Sequence, residues 1–286
     1  MRIGNVAGRL AIAAGDEWVD VEQASAGRFA ADPQAVYERW DEFRAWAADV
    51  PAGAPRVSGP LGVPVPAPRQ LIAIGLNYRE HAIESKLDIP EHPVVFAKFQ
   101  SSLTGPDSVV ELPSGGVDWE VELVVVIGRE AHQVPAEKGW DHVAGLTVGQ
   151  DLSWREVQTR GPAPQFSLGK SYPGFSPLGP AVVTPEEFAD KDDLAIRCSL
   201  DGEVLQDGRT SDLIFSVSEL VSRLSEALTL YPGDLIYTGT PKGVGMGRTP
   251  RRFLTPGALV SSIEGIGDLT INLVNEPVNE PVSEGA

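Results

Sequence analysis

Asp118-Trp119-Glu120-Val121-Glu122-Leu123-Val124-Val125-Val126-Ile127-Gly128 is the stretch on which the architecture of this chain turns. A run of β-formers this dense predicts a well-buried strand over residues 120–127. With a side-chain period of two, Glu120 and Glu122 project from one face, about 6.6 Å apart along the chain. Two like charges side by side on a buried strand are costly. A divalent cation removes that cost, because two glutamates at this spacing can converge on one hard ion. The plainer reading of an isolated Glu-x-Glu is an exposed strand end.

Downstream, Gly145-Leu146-Thr147-Val148-Gly149-Gln150-Asp151 is an apolar, glycine-punctuated run that ends in a third carboxylate. Mg²⁺ is held by few carboxylates, with water and substrate in the other positions, so Glu120, Glu122 and Asp151 form a sufficient set. Asp151 has a second reading, as the cap of a helix beginning near Ser153. Upstream, a short helix opening at Asn77 or Tyr78 puts His81 and Glu84 three residues apart on one side. The carboxylate then orients the imidazole and favours its protonated form, a general-base dyad in outline. The alternative is a surface pair. His92, His132 and His142 have no partner at ligand spacing and read as structural or solvated. Gly169-Lys170-Ser171 and the loop from Gly239 and Thr240 to Gly247 match neither a phosphate loop nor a dinucleotide fingerprint. Both read as tight turns that can bring backbone N–H groups to an anion.

Residues 1–69 read as a small α+β unit and its linker. Short strands come first, then a helix started by Asp32-Pro33 with Val36, Trp40, Phe43 and Ala47 on one face, then a Pro/Gly-rich stretch over residues 51–69. Residues 70–274 form the catalytic domain, with further β-rich segments at 71–74, 94–98, 181–184, 194–200, 235–238 and 259–263. One helix interrupts them, opened by a Ser216/Glu219 capping box and carrying Leu220, Val221, Leu224 and Leu228 at helical spacing. Residues 275–286 repeat Asn-Glu-Pro-Val and read as a flexible tail.

The chain has 286 residues, and 23 Lys and Arg stand against 40 Asp and Glu, a formal charge of -17. That balance argues against nucleic acid or an anionic membrane as a partner held by bulk charge. With 42% hydrophobic residues the chain has enough apolar mass for a sizeable core. Its single cysteine, Cys198, cannot close an intrachain disulfide; it reads as a small core residue and fits a reducing cytoplasm. The apolar stretch at 10–14 is too short for a signal peptide, and no segment approaches a membrane span.

In combination the motifs resemble the fumarylacetoacetate hydrolase family, from about Leu71 to about Asp268. The resemblance rests on Gly75-Leu76-Asn77-Tyr78 with His81 and Glu84, on Val117-Asp118-Trp119-Glu120-Val121-Glu122-Leu123, on Asp151 with Gln158, and on Gly169-Lys170-Ser171. It continues through Thr210-Ser211-Asp212-Leu213 and Pro232-Gly233-Asp234 to Gly239-Thr240-Pro241. It implies a mixed β-roll, mostly β within an α+β chain, commonly a homodimer. Mg²⁺ or Mn²⁺, with Ca²⁺ in some members, would sit on the residues matching Glu120, Glu122 and Asp151. By the same resemblance His81 with Glu84 activates water, Lys170 and Gln158 contact the reacting carbonyl region, and the loop at Gly239 and Thr240 holds the substrate carboxylate. Glu80, Gln150 and Pro173-Gly174 depart from the family's usual Asp, Asn and Asp-Thr; none is a proposed ligand, and the resemblance places them beside the lid and the pocket wall, where they bear on substrate identity. The expected activity is hydrolysis of a C–C bond in a 2,4-diketo acid of acylpyruvate or fumarylpyruvate type, with the dication as electron sink for enolate character. Decarboxylation of an oxaloacetate-like acid, or isomerisation of a hydroxyheptadienedioate-like acid, is the alternative at the same site. A metal-stabilised scaffold without turnover is a third reading.

Overall fold

In the strand Val121–Ile127 every residue is buried. The computed structural model that shows this describes residues 1–51 and 53–277. The strand lies inside an eleven-stranded sheet, paired antiparallel with Val143–Gln150 on one side and Leu235–Tyr237 on the other. Beyond Leu235–Tyr237 come Leu71–Gly75, parallel to it, and the edge strand Val94–Lys98. Beyond Val143–Gln150 lies Ser176–Val183. A second, five-stranded sheet contains Glu203–Arg209, Ala195–Leu200, Gly257–Ile263, Gly267–Asn275 and Ser108–Leu112 in that spatial order. The chain is therefore a mixed, mostly β member of the α+β class.

Two cores explain why the central strand, Glu122 apart, is apolar on both faces. Val121, Leu123, Val125 and Ile127 belong to one core together with Ile196, Leu259 and Ile271 of the second sheet and Leu220, Val221 and Leu224 of the helix Val217–Ser225. Val124 and Val126, on the opposite face, belong to the other core with Ile3, Leu10, Trp40 and Phe43. Residues 1–69 thus add their strands Arg2–Val6, Arg9–Ala14, Glu17–Asp20 and Arg56–Val57 to the main sheet, with Arg2 and Ile3 registered on Val183 and Val182. The apolar face read around Trp40 forms in two pieces, a 3₁₀ turn Ala35–Arg39 and the helix Trp40–Ala47. The Ser216/Glu219 capping box opens the helix Val217–Ser225 with both reciprocal bonds in place.

Next to the site the sheet is crowded enough to require glycine. A Cβ on Gly149 would lie 2.5 Å from Val124 Cγ2 and 2.7 Å from the Tyr237 ring. At the other end of the chain, Asn275 completes a strand and the Glu276 N–H donates to the Leu112 carbonyl. Of the segment read as a tail, residues 278–286 lie outside the described residues. Among the described residues no helix is long and apolar enough to cross a membrane.

Candidate active site

Strand register gathers the carboxylates. Val121 pairs with Gln150, so Asp151 emerges beside Glu120, and the Asp151 N–H donates to the Glu120 carbonyl at 2.9 Å. Gln150 Oε1 accepts the Glu120 N–H at 3.0 Å while its Nε2 donates to Ser261 Oγ at 2.9 Å, so the amide ties the segment at Glu120 to the strand Gly257–Ile263. One oxygen each from Glu120, Glu122 and Asp151 lies within 4.8 Å of the others, and all three residues are buried. Asp151 caps no helix: the next one, Arg155–Gln158, has no side-chain cap, and the carboxylate is paired with lysines.

The cations around these carboxylates are equally buried. Lys170 Nζ bridges Glu120 Oε2 at 2.8 Å and Asp151 Oδ2 at 2.5 Å. Lys98 Nζ takes the other Asp151 oxygen at 2.5 Å and also donates to the carbonyls of Lys170 and Phe175. Arg155 spans Glu120 Oε1 at 2.6 Å, Asp118 Oδ2 at 2.7 Å and Gln158 Oε1 at 2.9 Å. Asp118 in turn accepts the Gly245 and Met246 N–H groups at 2.7 and 2.9 Å, tying that loop to the floor of the site. Among the described residues, Glu122 accepts only the Gly239 N–H, at 2.8 Å.

Burial pushes Glu122 well above the ordinary carboxylate range, and the charges of Asp151 and Glu120 push it further. Burial acts the same way on Glu120, but Lys170 and Arg155 outweigh it and hold that carboxyl low. For Lys170 burial is opposed by Asp151 and Glu120, which keep the ammonium protonated above its usual range. For Lys98 burial prevails over the pull of Asp151 and lowers it. Four carboxyl groups, counting Asp118, face three cations; the sparsely bonded Glu122 is the one buried without a cation partner, so it holds its proton tightly, and on losing it would supply spare negative charge. An all-oxygen cluster with spare negative charge suits a hard divalent cation.

Across the cavity stands the dyad. The helix Arg79–Glu84 places His81 Nδ1 2.7 Å from Glu84 Oε1, and the Glu84 oxygens accept the Gly243 N–H at 3.0 and 3.1 Å. The two side chains are 9% and 20% exposed, so this is no surface pair. His81, Glu120, Glu122, Lys170, Gln158 and Thr240 line one cavity of about 150 Å³. A Cβ on Gly169 would lie 2.6 Å from the Gln158 backbone nitrogen, a close approach that sets Lys170 beside Gln158. Thr240 Oγ1 donates to the Val121 carbonyl at 2.8 Å and accepts from Gln206 Nε2 at 2.7 Å, and the Gly239 N–H is held by Glu122, so both groups are engaged within the protein. A larger hollow of about 440 Å³ beside Trp140 and Asp192 gathers none of the dyad or the carboxylate cluster.

Sequence reasoning missed Lys98, Asp118, Arg155 and Gln206. Asp118 stood inside a motif already singled out, Arg155 lies between the singled-out Asp151 and Gln158, and Lys98 ends a β run at a position where a charge needs a partner. Gln206 gave no local signal.

Fold and site define an enzyme that sets a cluster of buried carboxylates near a histidine–glutamate pair at one end of a mixed sheet. Residues 70–274 match the model of the fumarylacetoacetate (FAA) hydrolase C-terminal domain, and the chain belongs to that family. Oxaloacetate tautomerase FAHD2A, mitochondrial, of Homo sapiens is 44% identical over 227 residues, 78% of this chain and 72% of that protein. A solved Mycobacterium smegmatis structure, provisionally named HpcE, is 54% identical with a TM-score of 0.93, across 97% of this chain and 100% of that one. Maleylpyruvate hydrolase from Sphingobium sp. SYK-6, in complex with manganese(II) and pyruvate, gives a TM-score of 0.80 at 26% identity, over 97% and 100% of the two chains. The manganese in that neighbour and the acidic triad here both point to a divalent-metal site.

Proposed function

We propose that this enzyme hydrolyses a C–C bond in an acylpyruvate-type 2,4-dioxo acid, with Mg²⁺ or Mn²⁺ held by Glu120, Glu122 and Asp151. The observation that carries this reading is His81, largely buried and paired with Glu84, lining the same small cavity as Glu120 and Glu122 of the carboxylate cluster. When bound, the cation polarises the 2-oxo group and stabilises negative charge on its oxygen. The chain's own side chains do the rest. Glu84 engages His81 Nδ1, which leaves Nε2 to take a proton from water. The water oxygen bonds to C4, the C3–C4 bond breaks, and its electron pair passes to C3 as the enolate of pyruvate. His81 returns its proton to C3, so one water is consumed and pyruvate and a carboxylic acid leave. Lys170, kept cationic by Glu120 and Asp151, and the Gln158 amide N–H groups stabilise the charge that develops on the C4 oxygen.

The 44% identity to an oxaloacetate tautomerase supports a second reading, in which His81 moves a proton between the enol oxygen and C3 of oxaloacetate and no C–C bond breaks. Proton NMR of acetylpyruvate and of oxaloacetate incubated with enzyme and Mg²⁺ separates the two. Hydrolysis yields pyruvate and acetate from the first, and His81→Ala abolishes it. Intact acetylpyruvate beside accelerated enol–keto exchange of oxaloacetate would replace the first reading by the second.

A further inference from the structure

The cavity has two kinds of wall. Its floor is the charged cluster; its outer side is formed by Leu76, Leu87, Val94, Phe96, Phe166 and Met246. Val94 and Phe96 are alternate residues of the edge strand Val94–Lys98 and so share a face. Phe96 meets Phe166 edge to face, with centroids 5.5 Å apart. Met246 is carried by the loop that Asp118 fastens through two N–H groups. The cations bordering the cavity belong to the charged floor, Lys170 paired with Glu120 and Asp151, Arg155 with Asp118 and Glu120, and the outer side has none. The polar side chain remaining on the outer side is the neutral Ser85.

A second carboxylate placed against this wall would lose its water and find no cation in exchange, a heavy penalty. An alkyl or aryl tail would gain by leaving water. We propose that the outer wall is a tail subsite, selecting 2-oxo and 2,4-dioxo acids with an apolar far end over dicarboxylic acids of the same length. The proposal rests on the reading that the carboxylate cluster takes the 2-oxo acid head.

Calorimetric titration of the Mn²⁺-loaded protein tests it without turnover, because 2-oxoalkanoates lack the 4-oxo group and are not cleaved. Along pyruvate, 2-oxobutanoate, 2-oxopentanoate and 2-oxohexanoate, affinity is expected to rise about threefold to fourfold per methylene until the cavity is filled. The terminal methyl of 2-oxohexanoate should give it an affinity about tenfold or more above that of 2-oxoadipate, which ends in a carboxylate. Leu87 is 54% exposed, so Leu87→Arg leaves the core intact, and it is expected to invert that preference. Pyruvate binding with no gain along the series, tighter binding of 2-oxoadipate to the wild type, or an unchanged preference in Leu87→Arg overturns the tail subsite and leaves the head reading standing. Failure of pyruvate itself to bind overturns the head reading, and the tail proposal with it.

Discussion

Replacing Lys170 by Met tests how charge is balanced at the centre. The Lys170 ammonium bridges Glu120 and Asp151 with 2% of its side chain exposed, so its removal strips two buried carboxylates of a shared cation. Removing one partner of a buried ion pair costs about 3–5 kcal/mol. At about 2 °C per kcal/mol for a chain of this size, the metal-free variant should melt about 6–10 °C below the wild type. A dication restores positive charge at the same oxygens. Mn²⁺ at a hundredfold excess over Kd stabilises the native state by about 2.7 kcal/mol, and the variant, with one cation fewer opposing the ion, should gain more than the wild type does. Thermal melts of both proteins in EDTA and in Mn²⁺ measure all four states. The gap between them is expected to shrink by more than half in Mn²⁺; a gap of unchanged size would falsify the idea that these carboxylates share a dication.

His81→Ala should lower kcat by about 10²- to 10⁴-fold, the usual contribution of a general base, while Glu84→Gln, which keeps the shape and loses the charge, should lower it less. Steady-state kinetics beside thermal melts checks both, and a parallel loss of folding would remove the catalytic assignment. Metal affinity should climb with pH. Burial and its acidic neighbours raise Glu122 above its usual value near 4.5, so below the raised value a proton competes with the metal and above it the competition ends. Mn²⁺ titrations between acidic and neutral pH read this directly, and an affinity independent of pH contradicts it. Burial pushes the Cys198 thiol up to about 12, so a disulfide reagent should leave the native protein unmodified and label one thiol after denaturation.

The parts of the site written in local periodicity were legible. A period of two put Glu120 and Glu122 on one face, helical spacing put His81 beside Glu84, and the Ser216/Glu219 box marked the start of a helix that the structure contains. What was not legible depends on register between segments far apart in the chain. Lys98 meets Asp151 across 53 positions, and Asp118 meets Arg155 across 37, so no window around either residue shows the partner. The same holds for Arg2–Val6, whose place in the main sheet is decided by the distant strand Ser176–Val183. Val124 and Val126 read as apolar and buried without revealing that residues 1–69 cover them. Thr240 was legible as part of a loop near an anion, but its hydroxyl is held between Val121 and Gln206, contacts that span 119 and 34 positions.

Anomalous diffraction from crystals grown with Mn²⁺, recorded at the manganese edge, reaches the centre most directly. One peak is expected about 2.0–2.6 Å from oxygens of Glu120, Glu122 and Asp151 together. Density free of any such peak at saturating Mn²⁺, with Lys170 still bridging Glu120 and Asp151, would mean that these carboxylates serve the lysines and hold no metal.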